Sequence, residues 1–136
     1  METMTQEDKD LLLKDLCARL PYGVKCYDEA QKETGIFNHF EYEGFGRIHN
    51  GRGVRFIENI KPYLFPLSSM NEEQKEEYHY IVNYISPDDT ENWAEGEFVY
   101  VNQIEQLLHF YHTNHLDYRG LISKDLALDA TGKNIY

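Results

Sequence analysis

The spacing of apolar residues changes along the chain, and the change falls between Ile60 and Asn71. Before this stretch, apolar side chains alternate with polar ones and glycine-rich turns recur, which is typical of strands. After it, apolar side chains recur at three- and four-residue intervals, which is typical of helices. Pro62 and Pro66 stiffen the join. The pattern predicts a single α+β domain over residues 1–136, rather than a repeat or a tail.

Residues 1–20 carry a helix pattern. Thr5 is suited to cap this helix, because a threonine hydroxyl accepts a hydrogen bond from the free N–H groups of a first turn. Pro21 ends it, since a proline pushes the preceding residue toward extended geometry. Helical spacing predicts which side chains face the core. These are Leu12, Leu13, Leu16, Cys17 and Leu20.

Residues 23–67 predict a small, twisted antiparallel sheet of four to five strands, or a partial barrel. Asn50 and Gly51 are the strongest hairpin signal, since both tolerate the positive φ angles of a tight turn. Arg52 and Gly53 behind them favour a longer loop or a bulge. The prolines of the last strand predict that it lies at an edge or exit of the sheet. The predicted strands cover 24–27, 36–42, 45–49, 54–57 and 60–67.

Residues 71–130 are predicted to be mainly helical. Asn71 and Gln74 have the spacing of a capping box at the start of a second helix. A third helix follows, and Asp117 has the position of an N-cap for a short closing helix over 118–124. The last seven residues are predicted to be loose. The predicted buried stripes are Tyr78, Ile81, Val82 and Ile85 in the second helix, and Ile104, Leu107, Leu108 and Tyr111 in the third.

Composition narrows the class of protein. With 136 residues, 41% of them hydrophobic and 14% aromatic, the chain can bury a core. No apolar run is long enough to span a bilayer and no basic-then-apolar leader is recognisable, so we expect a cytoplasmic protein without membrane contact. Cys17 and Cys26 lack metal-ligand spacing and are predicted to be reduced packing residues.

The charge is both large and uneven. A net charge of −11 argues against direct binding of nucleic acid, because no excess of Lys and Arg is present to displace counterions from phosphates. Residues 71–97 hold nine acids against one lysine, a local sum of −8. Residues 44–61 hold four bases against one acid, a local sum of +3. The chain is therefore polarised along its length.

Three histidines spaced by three, His109, His112 and His115, invite a metal-site interpretation. On a helix, each step of three turns the side chain by about 60°, and the outer two are about 9 Å apart along the axis. Three imidazoles on one straight helix therefore cannot converge on one ion. We predict no metal and no cofactor, with His115 as a packed histidine.

The Gly- and Arg-rich hairpin over 44–55 is a candidate anion site. Backbone amides of a glycine-rich turn and guanidinium groups can together hold a phosphate or carboxylate. The spacings match neither a Walker loop nor a dinucleotide fingerprint, and a solvated hairpin that balances an acidic surface explains the same residues. The residues of this alternative site are Arg47, His49, Arg52 and Arg55.

An acidic segment around a tryptophan is the candidate partner-binding site. An aromatic side chain ringed by polar residues is common at interaction hot spots, although this one could equally fold back over the sheet. The sequence contains no recognisable nucleophile motif and no obvious pair of catalytic carboxylates, which favours a non-enzymatic protein. The predicted partner-binding residues are Glu91, Trp93, Glu95 and Glu97.

Three runs carry a resemblance: Leu20–Cys26, Lys61–Met70 and Asp117–Ile122. Their order and spacing resemble those of a group of short proteins from gut bacteria and their phages or prophages, over about residues 15–130. The chain departs from that group at Asp125 and over 110–112. The resemblance implies a small accessory protein, and it transfers no activity and no site residue because the group has no established activity.

Two functional hypotheses follow. The first is a small acidic cytosolic binding protein, non-enzymatic, that recognises a protein partner through an acidic and aromatic surface. In a phage setting, such a surface could mimic nucleic acid and inhibit a host enzyme. The alternative is a small-ligand module that binds a nucleotide or phosphorylated metabolite at the Gly/Arg hairpin.

Overall fold

The computed structural model describes residues 4–40, 45–48, 55–83 and 104–136. These residues form an N-terminal helix, a mixed sheet and further helices, so the predicted α+β class is confirmed. The helices are α1 (Gln6–Arg19), α2 (Glu72–Asn83) and α3 (104–113). The strands are β1 (Lys25–Asp28), β2 (Glu33–Phe40), β3 (Phe45–Ile48), β4 (Arg55–Phe56), β5 (Ile60–Pro66), β6 (Leu116–Asp117) and β7 (Leu128–Asp129).

Helix α1 begins as predicted, and four of its five predicted core-facing residues lie in the core or pack against it: Leu12, Leu13, Leu16 and Leu20. The hydroxyl of Thr5 accepts from the N–H of Asp8 at 3.1 Å, which confirms the cap. The buried residues are Leu12, Asp15, Leu16 and Arg19. The predicted stripe was therefore wrong at Cys17, which is exposed. The buried face also includes two charged residues, Asp15 and Arg19, which satisfy each other.

Strand β5 lies inside the sheet, which corrects the predicted edge position. The strand order is β4-β3-β2-β1-β5-β6, and β7 also pairs with β5. Pairings among β1 to β5 are antiparallel, whereas β6 and β7 join β5 in parallel, so the sheet is not purely antiparallel. The prediction failed because β6 and β7 come from a distant part of the chain.

Pro62 is tolerated inside the sheet because of its register. It lies opposite Cys26 in the β1–β5 ladder. Asn59 lies three residues before Pro62 and opposite Glu29. Its carbonyl accepts from the N–H of Glu29 at 2.9 Å, so these two residues form a hydrogen-bonded rung. Since hydrogen-bonded rungs alternate along an antiparallel ladder, the Cys26–Pro62 rung requires no N–H from residue 62 toward β1.

Helix α2 has the predicted capping box. The side chain of Asn71 accepts from the N–H of Gln74 at 2.8 Å, and the side chain of Gln74 accepts from the N–H of Asn71 at 2.9 Å. Its inner side packs against α3 and β6 in a core cluster of Ile81, Phe110 and Leu116. Val82, predicted to be buried, is 39% exposed, and Ile85 lies outside the described residues.

The predicted closing helix is absent, since residues 118–127 form turns and bends. Asp117 does cap this segment, because its carboxylate accepts from the N–H groups of Leu121 at 2.8 Å and Ile122 at 2.9 Å. Gly120 has a φ of 73°, which interrupts any right-handed helix through that position. The cap signal was therefore real, but it closes a turn.

The main core lies between α1 and the sheet, around Leu12, Leu16, Val24, Phe37 and Leu64. Both cysteines are free, and only Cys26 is buried, so the predicted packing role holds for that one alone. Among the described residues, none of the helices combines the length and apolarity needed to cross a bilayer.

Candidate functional site

The predicted partner-binding residues Glu91, Trp93, Glu95 and Glu97 lie outside the described residues. Their role stays a prediction. The acidic stretch that begins at residue 71 can nevertheless be followed through α2, where the structure describes every backbone position.

The Gly/Arg hairpin is described only in part. Arg47 lies in β3, is exposed and faces His39 across the β2–β3 ladder. Arg55 lies in β4 and is described through its backbone, which pairs with Gly46 of β3. His49 and Arg52 lie outside the described residues. Of the four side chains, only that of Arg47 belongs to the described part of the chain, so the alternative stays a prediction.

Helix α2 presents an acidic and aromatic surface, which we call the Tyr80 face. At 100° per residue, its members fall within an arc of about 140°. All five are exposed, Tyr80 by 66%. Ile81, which is 6% exposed, lies outside this arc, on the core-facing side. The Tyr80 face consists of Glu72, Glu73, Glu76, Glu77 and Tyr80.

The acids of the Tyr80 face repel one another. Glu72 and Glu76 are four residues apart, as are Glu73 and Glu77, and like charges at this spacing destabilise a helix by about 0.2–0.5 kcal/mol per pair. Within the described residues, the ion pair found on this helix joins Lys75 to Glu72 at 3.6 Å, with the Glu72 side chain 91% exposed. Such an exposed pair stabilises little. The face therefore keeps its negative charge at some expense of helix stability.

A second polar feature is buried, where α1 meets the segment after α3; we call it the buried network (Asp15, Arg19, His112, Tyr118 and Arg119). Asp15 and Arg19 are each 0% exposed. The Nε of Arg19 donates to one carboxylate oxygen of Asp15 at 2.8 Å, and the Nε of Arg119 donates to the other at 3.1 Å. Arg19 also donates to the carbonyl of Leu116 at 2.6 Å. The Asp15–Arg19 pair thus joins α1 to two points beyond α3, since Asp15 binds Arg119 and Arg19 binds the Leu116 carbonyl.

Tyr118 continues the buried network to a histidine. Arg119 donates to the hydroxyl oxygen of Tyr118 at 3.0 Å, so the hydroxyl proton is free to point to the Nε2 of His112 at 2.7 Å. Burial lowers the pKa of His112 to about 4, and the positive charges of Arg19 and Arg119 add to this effect. A neutral His112 that accepts from Tyr118 fits both observations.

Tyr22 and His109 lie at the outer end of this network. The Tyr22 hydroxyl and His109 Nδ1 are 3.0 Å apart, and the Tyr22 ring also contacts the ring of His112, with centroids 5.2 Å apart. His109 is exposed and His112 is buried. The aromatic contacts therefore connect the protein surface to the buried carboxylate.

The chemistry available to the buried network is limited by its own pairing. Both oxygens of Asp15 are held by arginines, so neither is offered to a substrate as a base. The Nη1 of Arg19 is buried without a hydrogen-bond partner, but the guanidinium carbon lies 5.3 Å from the centroid of the Tyr118 ring, within range of a cation–π interaction. Among the described residues, no group of His, Cys, Asp and Glu side chains is placed to hold a metal ion. We interpret this network as structural.

Sequence reasoning missed the buried network, although one signal was present. Asp15 and Arg19 are four residues apart and share the helical face of Leu12 and Leu16. An acid and a base at this spacing inside an apolar stripe favour a buried ion pair. The partners Tyr118 and Arg119 have no such local signal, because only the tertiary fold brings them to α1.

Comparison with known proteins gives no relative: no protein-family model, curated protein or solved structure matches the chain. The interpretation of function therefore depends on the geometry of this molecule.

Proposed function

We propose that the chain is a small, non-enzymatic binding protein that recognises a positively charged protein partner through the Tyr80 face. Glu91, Trp93, Glu95 and Glu97, which follow α2 in the sequence, are part of the same proposal as residues that bind this partner. Two free cysteines suit a reducing cytoplasmic location. An accessory role in a phage or prophage, as the family resemblance implies, would be compatible with such a binding function.

The observation that carries the proposal is the continuity of the Tyr80 face. Four acids precede one exposed aromatic ring on a single helical surface, and the exposed Lys75 lies outside the arc that they occupy. Tyrosine is enriched at interaction hot spots, since it contributes a large contact area and a polar tip. The neighbouring carboxylates would steer a basic partner toward it.

The partner should be a protein surface rich in Lys and Arg. Binding by charge steering implies that association slows as salt rises, because the field of exposed carboxylates is screened beyond about 10 Å at 0.1 M salt. A small anionic ligand is disfavoured at this surface, since it would meet only like charge.

The test is affinity capture from lysate of the native host, with two double variants compared. Glu76→Lys with Glu77→Lys cancels the net negative charge of the Tyr80 face, whereas Glu7→Lys with Asp10→Lys makes the same change in net charge on exposed positions of α1. We expect the first variant to capture at least about tenfold less partner than the unsubstituted protein, and the second variant to capture as much. Circular dichroism checks that both variants fold.

Tyr80→Ala should also weaken capture, and reversal of Glu91, Glu95 and Glu97 to lysine should abolish it. Equal losses in the α1 and α2 double variants would indicate a response to net charge alone. Either that result or unchanged capture in all variants would contradict the proposal.

A further inference from the structure

The ladder between β1 and β5 has an open rung that a tyrosine side chain fills. The last paired residues are Cys26 and Pro62. The next rung would join Lys25 to Tyr63, but the β1–β5 pairing ends before it, and Tyr63 and Leu64 pair with β7 instead. The hydroxyl of Tyr136 lies in the gap. It accepts from the N–H of Lys25 at 2.8 Å and donates to the carbonyl of Tyr63 at 2.8 Å.

This gap selects a phenol. Its tip presents one backbone donor and one backbone acceptor, and a phenol hydroxyl can accept and donate at once. A phenylalanine would leave both groups unpaired, and a tryptophan N–H could only donate. Burial raises the pKa of the Tyr136 hydroxyl well above its usual value, so it keeps the proton that it donates.

The walls of the gap hold the ring. The imidazole of His115 stacks on the ring of Tyr136, with centroids 3.7 Å apart and planes inclined by 11°. The Nζ of Lys25 lies 5.7 Å from the ring centroid, within cation–π range, and the ring of Phe65 is 5.9 Å away. His115 holds this position with a φ of 54°, a conformation that favours glycine, and its Nδ1 is buried without a partner. This unfavourable local geometry indicates a site built around the ring.

The site also binds the backbone carbonyl of the residue before the tyrosine. The Nζ of Lys25 donates to the carbonyl of Ile135 at 2.5 Å. By contrast, the connecting residues 131–134 are exposed. Tyr136 is itself 41% exposed, so the site opens to solvent.

We propose that Lys25, Tyr63, Phe65 and His115 form a tyrosine-recognition site. Tyr136 fills it within the chain, and a tyrosine borne on another polypeptide segment takes its place when Tyr136 leaves. The recognised chemistry is a phenol ring preceded by a peptide carbonyl. The site is separate from the Tyr80 face, so its test does not depend on the proposed function.

The test uses full-length Tyr136→Ala with two peptides as probes. These are acetyl-isoleucyl-tyrosine amide and its matched control, acetyl-isoleucyl-phenylalanine amide. At a concentration far above its Kd, the tyrosine peptide should raise the Tm of the variant by about 5 °C. We expect the Kd of the phenylalanine peptide to be at least about tenfold higher than that of the tyrosine peptide, because it leaves the Lys25 N–H and the Tyr63 carbonyl unpaired. The unsubstituted protein should bind the tyrosine peptide about tenfold more weakly than the variant, because its own Tyr136 competes for the site.

A second variant keeps the proposal testable if Tyr136→Ala does not fold. Tyr136→Phe retains the ring and loses the hydroxyl, so hydrogen exchange at the Lys25 amide should accelerate, and the tyrosine peptide should slow it again. p-Cresol, a phenol without a peptide carbonyl, should bind more weakly than the tyrosine peptide. Equal affinity for the tyrosine and phenylalanine peptides, a Lys25 amide that does not respond, or stronger binding of p-cresol would each overturn the proposal.

Discussion

Asp15 is the residue on which the joint between α1 and the rest of the molecule depends. A buried ion pair is expensive to desolvate, and it persists only when further hydrogen bonds satisfy both partners. Asp15 meets this condition, since Arg19 and Arg119 each donate to a different oxygen. Because a single carboxylate balances two guanidiniums, its charge is more critical than that of either arginine.

Asp15→Asn should therefore destabilise the protein strongly. The substitution keeps the size of the side chain but leaves two cations, one of them fully buried, without a counter-charge. We expect the free energy of unfolding to fall by about 3–5 kcal/mol, measured by urea denaturation. Asp10→Asn is the matched control, because Asp10 is exposed on the same helix, and it should change stability by less than about 0.5 kcal/mol. A similar, small effect of both substitutions would contradict the structural role of the network.

His112 should make stability depend on pH in a defined window. The pKa of His112 is about 4 in the folded protein, below the ordinary value of 6.5. Between these values the unfolded chain binds a proton that the folded chain does not, so stability is full above about pH 6.5 and is lost as pH falls toward 4. His112 should contribute about 1–3 kcal/mol to this loss.

The measurement is urea unfolding of the protein and of His112→Gln at several pH values. Glutamine can accept from Tyr118 and does not titrate, so the variant should lose less stability between pH 6.5 and 4. The remaining slope should come mainly from His115, whose pKa burial also lowers to about 4. Identical pH profiles for the two proteins would contradict this assignment.

Element boundaries were predictable where a local interaction sets them, and element neighbours were not. Thr5 and the Asn71–Gln74 box cap helices as predicted, because a cap involves residues three positions apart. The central position of β5 could not be predicted, since it depends on pairing with residues 116–117 and 128–129. Likewise, the prolines indicated an edge only because the register with β1 was unknown.

The capping box should support the Tyr80 face, since it fixes the first turn of α2. Asn71→Ala removes the acceptor for the Gln74 N–H, and we expect a loss of about 1 kcal/mol in the free energy of unfolding. Asn71→Ser retains a capping oxygen and should lose less. Thermal unfolding followed by circular dichroism compares the three proteins, and equal stability of all of them would contradict the role of the cap.

At the scale of the whole molecule, the charge distribution was predictable from the sequence, whereas the long-range contacts that hold the elements together were not. The concentration of acids after residue 71 is local, so the helical period alone places Glu73, Glu76 and Glu77 beside Tyr80. The buried network and the tyrosine-recognition site instead join residues about one hundred positions apart, such as Arg19 with Leu116 and Lys25 with Tyr136. Contacts of this range are set by the assembled core, which no local pattern encodes.

The net charge of −11 should make the whole molecule more stable as salt rises. Uncompensated charge destabilises a compact chain through self-repulsion, and salt screens it, with the Debye length falling from about 20 Å at 20 mM to about 4 Å at 500 mM. We expect NaCl over this range to raise the Tm by about 2–5 °C. Glu76→Gln with Glu77→Gln removes one member of each repelling pair on α2, so this variant should have a higher Tm at 20 mM and a smaller rise. A Tm that falls with NaCl would mean that attractive pairs, such as Lys61 with Glu29 at 2.9 Å, outweigh the repulsion. The negative charge of the Tyr80 face would then not lower the stability of the fold.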